Sequence, residues 1–365
     1  MSTADVRTLA RAEVRALPLY APDADECAVD VSDNTNLWGA PPAALRALSA
    51  APSAAIARYP SLYSGPLRSA LLRYTGLDAA NGVGVVTGCG SDDVLDSAMR
   101  AFGAPGERIA FSAPTFSMIP TFARLNALEP VSIPLTARYD VDAERLVQVG
   151  AKVTYLCTPN NPTATVLSRA AVEYVAEHAA GIVLIDEAYA EFAPETFVDL
   201  ATRHERVVVT RTFSKAFGLA GLRVGYGIGG RDVVGMVERA RGPYKVNAMA
   251  ERAALAALEE SPEALGWVRT HAALAVANRE RLVHGLREIG FGALPSGANF
   301  VFVPSARALL LARRLRECGV LVRALAGLPR DLQALADSNG EALRIGVGPW
   351  ETMTTVLDTL EEVAG

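Results

Sequence analysis

Lys152, Lys215 and Lys245 are the only three lysines in this 365-residue chain, so any chemistry that needs a primary amine has three candidates. Arginine cannot substitute, because its guanidinium stays protonated. Lys215 stands in Thr212-Phe213-Ser214-Lys215-Ala216-Phe217-Gly218-Leu219-Ala220-Gly221-Leu222-Arg223, where an amine, two hydroxyls and a guanidinium share a run of small residues. A lysine whose pKa is depressed by burial or cationic neighbours forms Schiff bases with carbonyl compounds. A solvated surface lysine is the other reading of any single lysine. The scarcity itself belongs to an Ala- and Arg-rich composition, so the local context carries the argument.

Three more segments bear on that context. Thr87-Gly88-Cys89-Gly90-Ser91-Asp92-Asp93 follows a strand pattern and opens a helix pattern. Free backbone N–H groups at a helix start, with glycines for close approach, make an anion site. A plain turn capped by Ser91 or Asp92 is the alternative, and Asp93 stands where a dinucleotide fingerprint needs its third glycine. Cys157-Thr158-Pro159-Asn160-Asn161-Pro162-Thr163-Ala164 directs asparagine amides from a strand end, toward a ligand or into turn hydrogen bonds. Ile182-Val183-Leu184-Ile185-Asp186-Glu187-Ala188-Tyr189 ends an apolar strand in two acids. A buried carboxylate there needs a cation or strong donors, met by a protonated heterocycle nitrogen or by a structural salt bridge. Magnesium would require a GxxxxGK[ST] loop, which the sequence lacks. Taken in order, a phosphate turn, an Asn loop, a strand-end acid and an amine describe a pyridoxal phosphate site.

The elements that must position these groups follow from hydrophobic patterning. Strands are predicted at Val83–Thr87, Arg108–Phe111, Val131–Leu135, Val153–Cys157, Ile182–Ile185, Val207–Thr210 and Val224–Ile228. Helical patterns fall between them at Asp92–Ala101, Arg169–His178 and Arg231–Ala240. The runs are nearly continuous rather than alternating, so the fold class is α/β, a mostly parallel seven-stranded sheet between helices. Gly227-Ile228-Gly229-Gly230 reads as a turn. Beyond residue 245, helices at Ala248–Leu258, Leu265–Ile289 and Ala306–Cys318 mix with strands at Asn299–Val303, Val320–Val322 and Leu343–Val347, a smaller α+β domain. The expected division is an N-terminal arm and part of the small domain over 1–45, a large cofactor-binding domain over 46–247 and a small domain over 248–365.

Half the residues are hydrophobic and 21% are charged, so the chain can bury a large core. A net charge of −5 gives no general attraction to nucleic acid or to an anionic membrane. Cys27, Cys89, Cys157 and Cys318 are dispersed without a CxxC, which favours free thiols in a reducing compartment. No signal-peptide pattern or uninterrupted apolar run of ~20 residues is visible, and a cytoplasmic protein is expected. The four histidines lack metal-ligand spacing, so no metal is expected.

Across about Leu17 to Val347 the chain resembles the fold-type I pyridoxal phosphate aminotransferases, in particular the histidinol-phosphate aminotransferase branch. The motifs are Ala57-Arg58-Tyr59-Pro60, Gly90-Ser91-Asp92, Pro114-Thr115-Phe116, Asn160-Asn161-Pro162-Thr163, Asp186-Glu187-Ala188-Tyr189, the Ser214–Arg223 run, Pro243-Tyr244-Lys245-Val246-Asn247 and Leu343-Arg344-Ile345. The resemblance implies pyridoxal 5'-phosphate as cofactor and a ping-pong exchange between an amino donor and a 2-oxo acid, with 2-oxoglutarate expected. Lys215 would carry the cofactor as a Schiff base and then move the proton. Asp186 would pair with the ring nitrogen, Tyr189 and Asn161 with the ring hydroxyl, and Phe116 would stack on the ring. Gly90, the amides of Ser91 and Asp92, the hydroxyls of Ser214 and Thr212, and Arg223 would surround the phosphate. Tyr59 would reach the neighbouring subunit's cofactor phosphate, which implies a homodimer.

On the substrate side, the resemblance makes Arg344 the α-carboxylate clamp and Arg323 the partner of a side-chain phosphate, with Tyr20 and Asn34 beside them. An exposed arginine and plain arm packing are the alternatives for Arg323 and Tyr20. Three departures stand out: Asn34-Thr35-Asn36-Leu37-Trp38-Gly39 lacks the family's acid and has an indole, Ala164 replaces a glycine, and Ala324–Glu341 is an insertion. All but Ala164 are expected on the substrate side. Other readings stay open: an aromatic amino acid aminotransferase, a decarboxylase of the threonine-phosphate type, and a non-catalytic binding protein of the same fold.

Overall fold

A computed structural model describes residues 6–19 and 27–365. Its strands are β1 Val29–Asp30, β2 Val83–Gly88, β3 Arg108–Ala113, β4 Glu129–Pro134, β5 Val153–Cys157, β6 Ile182–Asp186, β7 Val207–Thr212, β8 Gly225–Gly230, β9 Phe300–Pro304, β10 Val320–Leu321, β11 Arg323–Leu325 and β12 Ala342–Gly346. Seven of them form one sheet in the order β2-β8-β7-β6-β5-β3-β4. All neighbours pair parallel except β8, which runs antiparallel to both β2 and β7.

The apolar runs are continuous because both faces of this sheet are covered, and successive residues alternate between two cores. Val183, Ile185, Val207, Val209, Tyr226 and Ile228 pack on one face. Ile182, Leu184, Val208, Val153 and Tyr155 pack on the other, under the helices Gly90–Phe102 and Arg231–Ala240. The same alternation continues into the polar residues at the strand ends, and there it decides the site.

Gly227-Ile228-Gly229-Gly230 is strand and not the turn expected from its glycines. The reason is close packing. A Cβ on Gly225 would lie 2.3 Å from the Ser91 nitrogen, one on Gly227 2.8 Å from the Val94 side chain, and one on Gly229 2.8 Å from the Val207 carbonyl. The alternate glycines let the helix Gly90–Phe102 and its neighbours lie directly on the strand.

The smaller unit has an antiparallel sheet β11-β12-β9 and a parallel pair β1-β10. Helices Ala308–Glu317 and Trp350–Ala364 cover a core that includes Val301, Val303, Leu343 and Ile345. Helix Leu265–Glu288 serves both cores: Leu265, Val268, Ala272 and Ala275 pack with the large sheet, and Leu282, Val283 and Leu286 with the small one. Helix Ala248–Ala257 adds Ala250, Ala253 and Ala254 to the large-sheet core.

Candidate active site

Beyond the carboxyl ends of the parallel strands, where open α/β sheets bind ligands, lies a cavity of about 220 Å³. Its lining joins residues from β5, β6 and β7, the helix Gly90–Phe102 and the small domain, including Lys215, Asp186, Phe116, Asn161, Arg323 and Arg344.

Strand alternation separates the two acids. Asp186 is 3% exposed and shares its face with Tyr155, Cys157 and Thr210. Its Oδ2 accepts the Tyr155 hydroxyl at 2.8 Å, and its Oδ1 accepts the Thr210 hydroxyl and the Ala188 N–H, each at 3.2 Å. Burial pushes its carboxyl up to about 6; the Tyr155 and Thr210 donors oppose that shift, and the nearby Asp92 carboxylate adds to it. Glu187 turns to the opposite face and takes the structural salt bridge: the Arg211 Nε and Nη2 donate to its Oε2 at 2.9 and 2.7 Å, deep in the interior. The salt-bridge reading is thus realised on Glu187, and Asp186 is the acid that lines the cavity.

The Lys215 ammonium reaches the Asp33 carbonyl at 3.2 Å and lies 5.8 Å from the Tyr189 ring centroid. Burial lowers its pKa to about 8, with help from the cationic Arg344 and Arg223. The two other lysines stand elsewhere: Lys152 precedes β5, and Lys245 is ion-paired with Asp93 at 2.7 Å. Tyr189 is buried, which raises its pKa, and its hydroxyl accepts the Asn34 amide at 3.2 Å. The other end of that amide, Asn34 Oδ1, is buried with no hydrogen-bond partner.

Neither Ser91 nor Asp92 caps the helix Gly90–Phe102. It begins at Gly90, with Cys89 as N-cap and the Asp93 carboxylate accepting the Cys89 N–H at 3.0 Å. Ser91 and Asp92 therefore occupy the first turn and line the cavity. Arg223, in the left-handed region at φ 53°, bonds Ser214 Oγ at 3.3 Å and Asp92 Oδ2 at 3.3 Å. Thr212 donates to Ser214 at 3.0 Å. A Cβ on Gly90 would lie 2.7 Å from Arg223 Nη2. Glycine thereby keeps a concave, donor-lined cradle open where a phosphate fits. With the Lys215 amine, the Asp186 acid and the Phe116 ring lining the same cavity, the residues fit pyridoxal phosphate.

Arg323 and Arg344 lie directly opposite each other on β11 and β12. Arg344 is oriented by two bonds, to Asn161 Oδ1 at 2.9 Å and to the Ser32 carbonyl at 2.7 Å. Asn160, the other amide of the loop, is spent on structure, donating to the Pro114 carbonyl and Thr163 and accepting from Thr115.

Tyr59 is 83% exposed, stacked on Tyr244 with centroids 4.8 Å apart, and does not line the cavity of its own chain. Tyr20 lies outside the described residues. Two departures expected on the substrate side are elsewhere. Trp38 packs edge-on against His271 at 5.9 Å. The 324–341 segment begins with β11 and buries Leu332 and Leu335 in the large-sheet core, while Arg323 alone of that hairpin strand lines the cavity. Asp33, Cys157, Tyr155 and Thr210 were missed by sequence reasoning; strand pairing, not any motif, brings the last three to Asp186.

The sequence profile of the family described as "Aminotransferase class I and II" matches residues 27–360. A protein of Roseiflexus castenholzii named histidinol-phosphate aminotransferase is 36% identical, over 99% of this chain and 100% of its own length. One from Corynebacterium glutamicum named aromatic amino acid aminotransferase is 33% identical, over 94% of this chain and 98% of its own. The crystal structure of histidinol-phosphate aminotransferase from Sinorhizobium meliloti in complex with pyridoxal-5'-phosphate superposes with a TM-score of 0.85 at 24% identity, covering 96% of each chain.

Proposed function

The chain belongs to the aminotransferase class I and II family and is a pyridoxal phosphate-dependent aminotransferase, and from that premise we propose that its amino donor is a phosphate-bearing amine of the histidinol-phosphate type. The observation that carries this reading is the Arg323–Arg344 pair, two guanidinium groups on adjacent strands at one cavity wall. Planar, fixed donors of this kind suit carboxylate and phosphate. A pair of them serves both halves of a ping-pong exchange, in which a phosphorylated amine and a dicarboxylic 2-oxo acid, 2-oxoglutarate, occupy the same site in turn.

When bound, the cofactor supplies a carbonyl that captures the amine and a ring that withdraws electrons from the donor's Cα. Lys215, with a pKa near 8, has a substantial neutral fraction at mildly alkaline pH and is the base for the Cα proton. Asp186 supplies the anion for the ring nitrogen, Tyr189 and Asn161 face the ring hydroxyl, and Phe116 offers an aromatic face. The first-turn amides of Ser91 and Asp92, with Gly90, Thr212, Ser214 and Arg223, hold the phosphate. Arg344 holds the α-carboxylate of the 2-oxo acid, and with the phosphorylated amine, which has no carboxylate, it faces the phosphate beside Arg323; Asn34 keeps Tyr189 in place.

The functional unit in this reading is a homodimer. Tyr59 and Tyr244, with Ile56, Leu62 and Tyr63, form an exposed apolar patch that a second copy would cover. Tyr59 then reaches the partner's phosphate site. The domain division that the packing supports falls inside helix Leu265–Glu288 rather than at 247/248, because that helix contributes to both cores. No described helix is long and apolar enough to cross a membrane, and a cytoplasmic location fits the dispersed free cysteines.

A donor panel of histidinol phosphate, phenylalanine and small amino acids tests the assignment through bleaching of the cofactor's visible band. Preference for histidinol phosphate is expected. Preference for phenylalanine would assign the aromatic alternative, and carbon dioxide release without new oxo acid a decarboxylase.

A further inference from the structure

Asp186 is held from both sides of its strand. β5 and β7 flank β6, and each sends one hydroxyl to the carboxylate: Tyr155 to Oδ2 at 2.8 Å and Thr210 to Oδ1 at 3.2 Å. Tyr155 is 1% exposed and Thr210 fully buried, among valines, isoleucines and leucines. Neither lines the cavity, so neither touches what binds there. Phenylalanine and valine would fill the same space, and a buried hydroxyl is costly unless it is bonded. These two hydroxyls therefore need a partner, and each has it in Asp186.

Burial and the Asp92 carboxylate favour the neutral form of Asp186. Cys157, on β5, stays a neutral thiol because burial pushes it up to about 12, and Asp92, from the helix Gly90–Phe102, adds a like charge. Tyr189, which follows β6, is buried and neutral. The Tyr155, Thr210 and Ala188 donors favour the carboxylate, and the Lys215, Arg223 and Arg344 cations line the same cavity. Three bonds to two oxygens also fix the rotation of the group, leaving it no freedom to turn from the cavity.

We propose that Tyr155 and Thr210 are positioning residues that hold the Asp186 carboxylate ionised and in fixed rotation toward the ring nitrogen of bound pyridoxal phosphate. The inference rests on the reading of Asp186 as the acid that meets that nitrogen.

The test is a double-mutant cycle on cofactor affinity, independent of turnover. Pyridoxal phosphate is titrated into cofactor-free wild type, Y155F, T210V, D186N, Y155F/D186N and T210V/D186N between pH 5 and 9, followed by absorbance. At pH 7, Y155F is expected to bind about tenfold more weakly or worse, the worth of one hydrogen bond to a charged group, and T210V to lose less. Without the donors Asp186 holds its proton to higher pH, so the pH below which affinity falls moves upward in both variants. In the D186N background the same substitutions should change affinity by less than about twofold, because interacting residues lose their coupling once one is removed. Equal losses in both backgrounds, or an unmoved pH midpoint, overturn the proposal. If D186N itself binds as tightly as wild type, the reading of Asp186 fails and the inference with it. Should Y155F not fold, T210V and T210V/D186N decide by the same criterion.

Discussion

The two walls of the cavity are built on different terms. The wall assigned above to the cofactor comes from the ends of β5, β6 and β7 and the helix Gly90–Phe102, where Asp186, Thr210 and Thr212 are buried and tied by hydrogen bonds. The wall assigned above to the substrate comes from two paired strands of the small domain, β11 and β12, whose Arg323 and Arg344 are only half-buried. One wall is fixed by strand register in a parallel sheet; the other is carried on a small sheet that packs one face on the small-domain core through Val301, Val303, Leu343 and Ile345 and the other on the large-sheet core through Phe300, Phe302 and Ala342. A fixed wall suits a group that stays, and a borne wall suits partners that must enter and leave.

Substitutions break this contrast in graded ways. Lys215→Ala should reduce transamination by at least about 10²–10⁴-fold through loss of the base alone, read as the turnover rate with cofactor present. Next comes the scaffold of the cofactor wall. Glu187→Ala leaves Arg211 buried without its salt-bridge partner, with the Thr196 hydroxyl still bonded to it, and should cost about 3–5 kcal/mol of stability, measured by denaturant unfolding. Were Glu187 instead the acid facing the cavity, the melt would hold and activity would vanish. On the substrate wall, Arg344→Ala should lower kcat/KM about 10- to 100-fold for every carboxylate-bearing partner. Arg323→Ala should cost about tenfold for phosphate-bearing donors and leave phosphate-free donors unchanged; equal losses for both would remove its assigned role.

The smallest effect is a pH dependence of the cofactor-free protein. Lys215 has a folded pKa near 8, below its ordinary 10.5, so between those values the unfolded chain binds more protons. Stability from this group is therefore penalised below pH 8 and recovers as pH rises from 8 to 10.5. Asp186 has the opposite sign. Its folded pKa near 6 exceeds the ordinary 3.8, so the folded chain binds more protons and its contribution falls as pH rises from 4 to 6. Cofactor-free Lys215→Met should melt higher than wild type at pH 7, and that gain should shrink as pH climbs past 8.

Much of the cofactor wall was legible in the sequence because it is written in contiguous runs. A strand of Ile182-Val183-Leu184-Ile185 fixes where Asp186 emerges, and the small residues around Ser214 and Gly218 mark a tight loop. What strand pairing decides was not legible. Nothing local in Tyr155 or Thr210 says that β5 and β7 flank β6 in a register that converges on one carboxylate. Nor could spacing separate Asn160, spent on its own loop, from Asn161, which meets Arg344. Trp38 misled for a related reason: it sits beside Asn34 in sequence, yet its ring turns to His271 while Asn34 turns to Tyr189. The glycines of β8 read as a turn because glycine's commonest use is conformational, and here its use is thinness.

That thinness has a consequence for how the protein can change over generations. Gly225 and Gly227 press against the helix that presents Ser91 and Asp92, and Gly229 presses against the backbone of β7. No smaller residue exists to replace any of them, and each larger one wedges the helix or a neighbouring strand away. Surface helices such as Trp350–Ala364 can drift through many sequences and keep their packing. β8 cannot: it is a stretch where the repertoire of tolerated residues collapses to one at every second position. A saturation library over residues 225–230 would show that collapse as a two-residue rhythm, with Tyr226 and Ile228 accepting other large apolar side chains between positions that accept none.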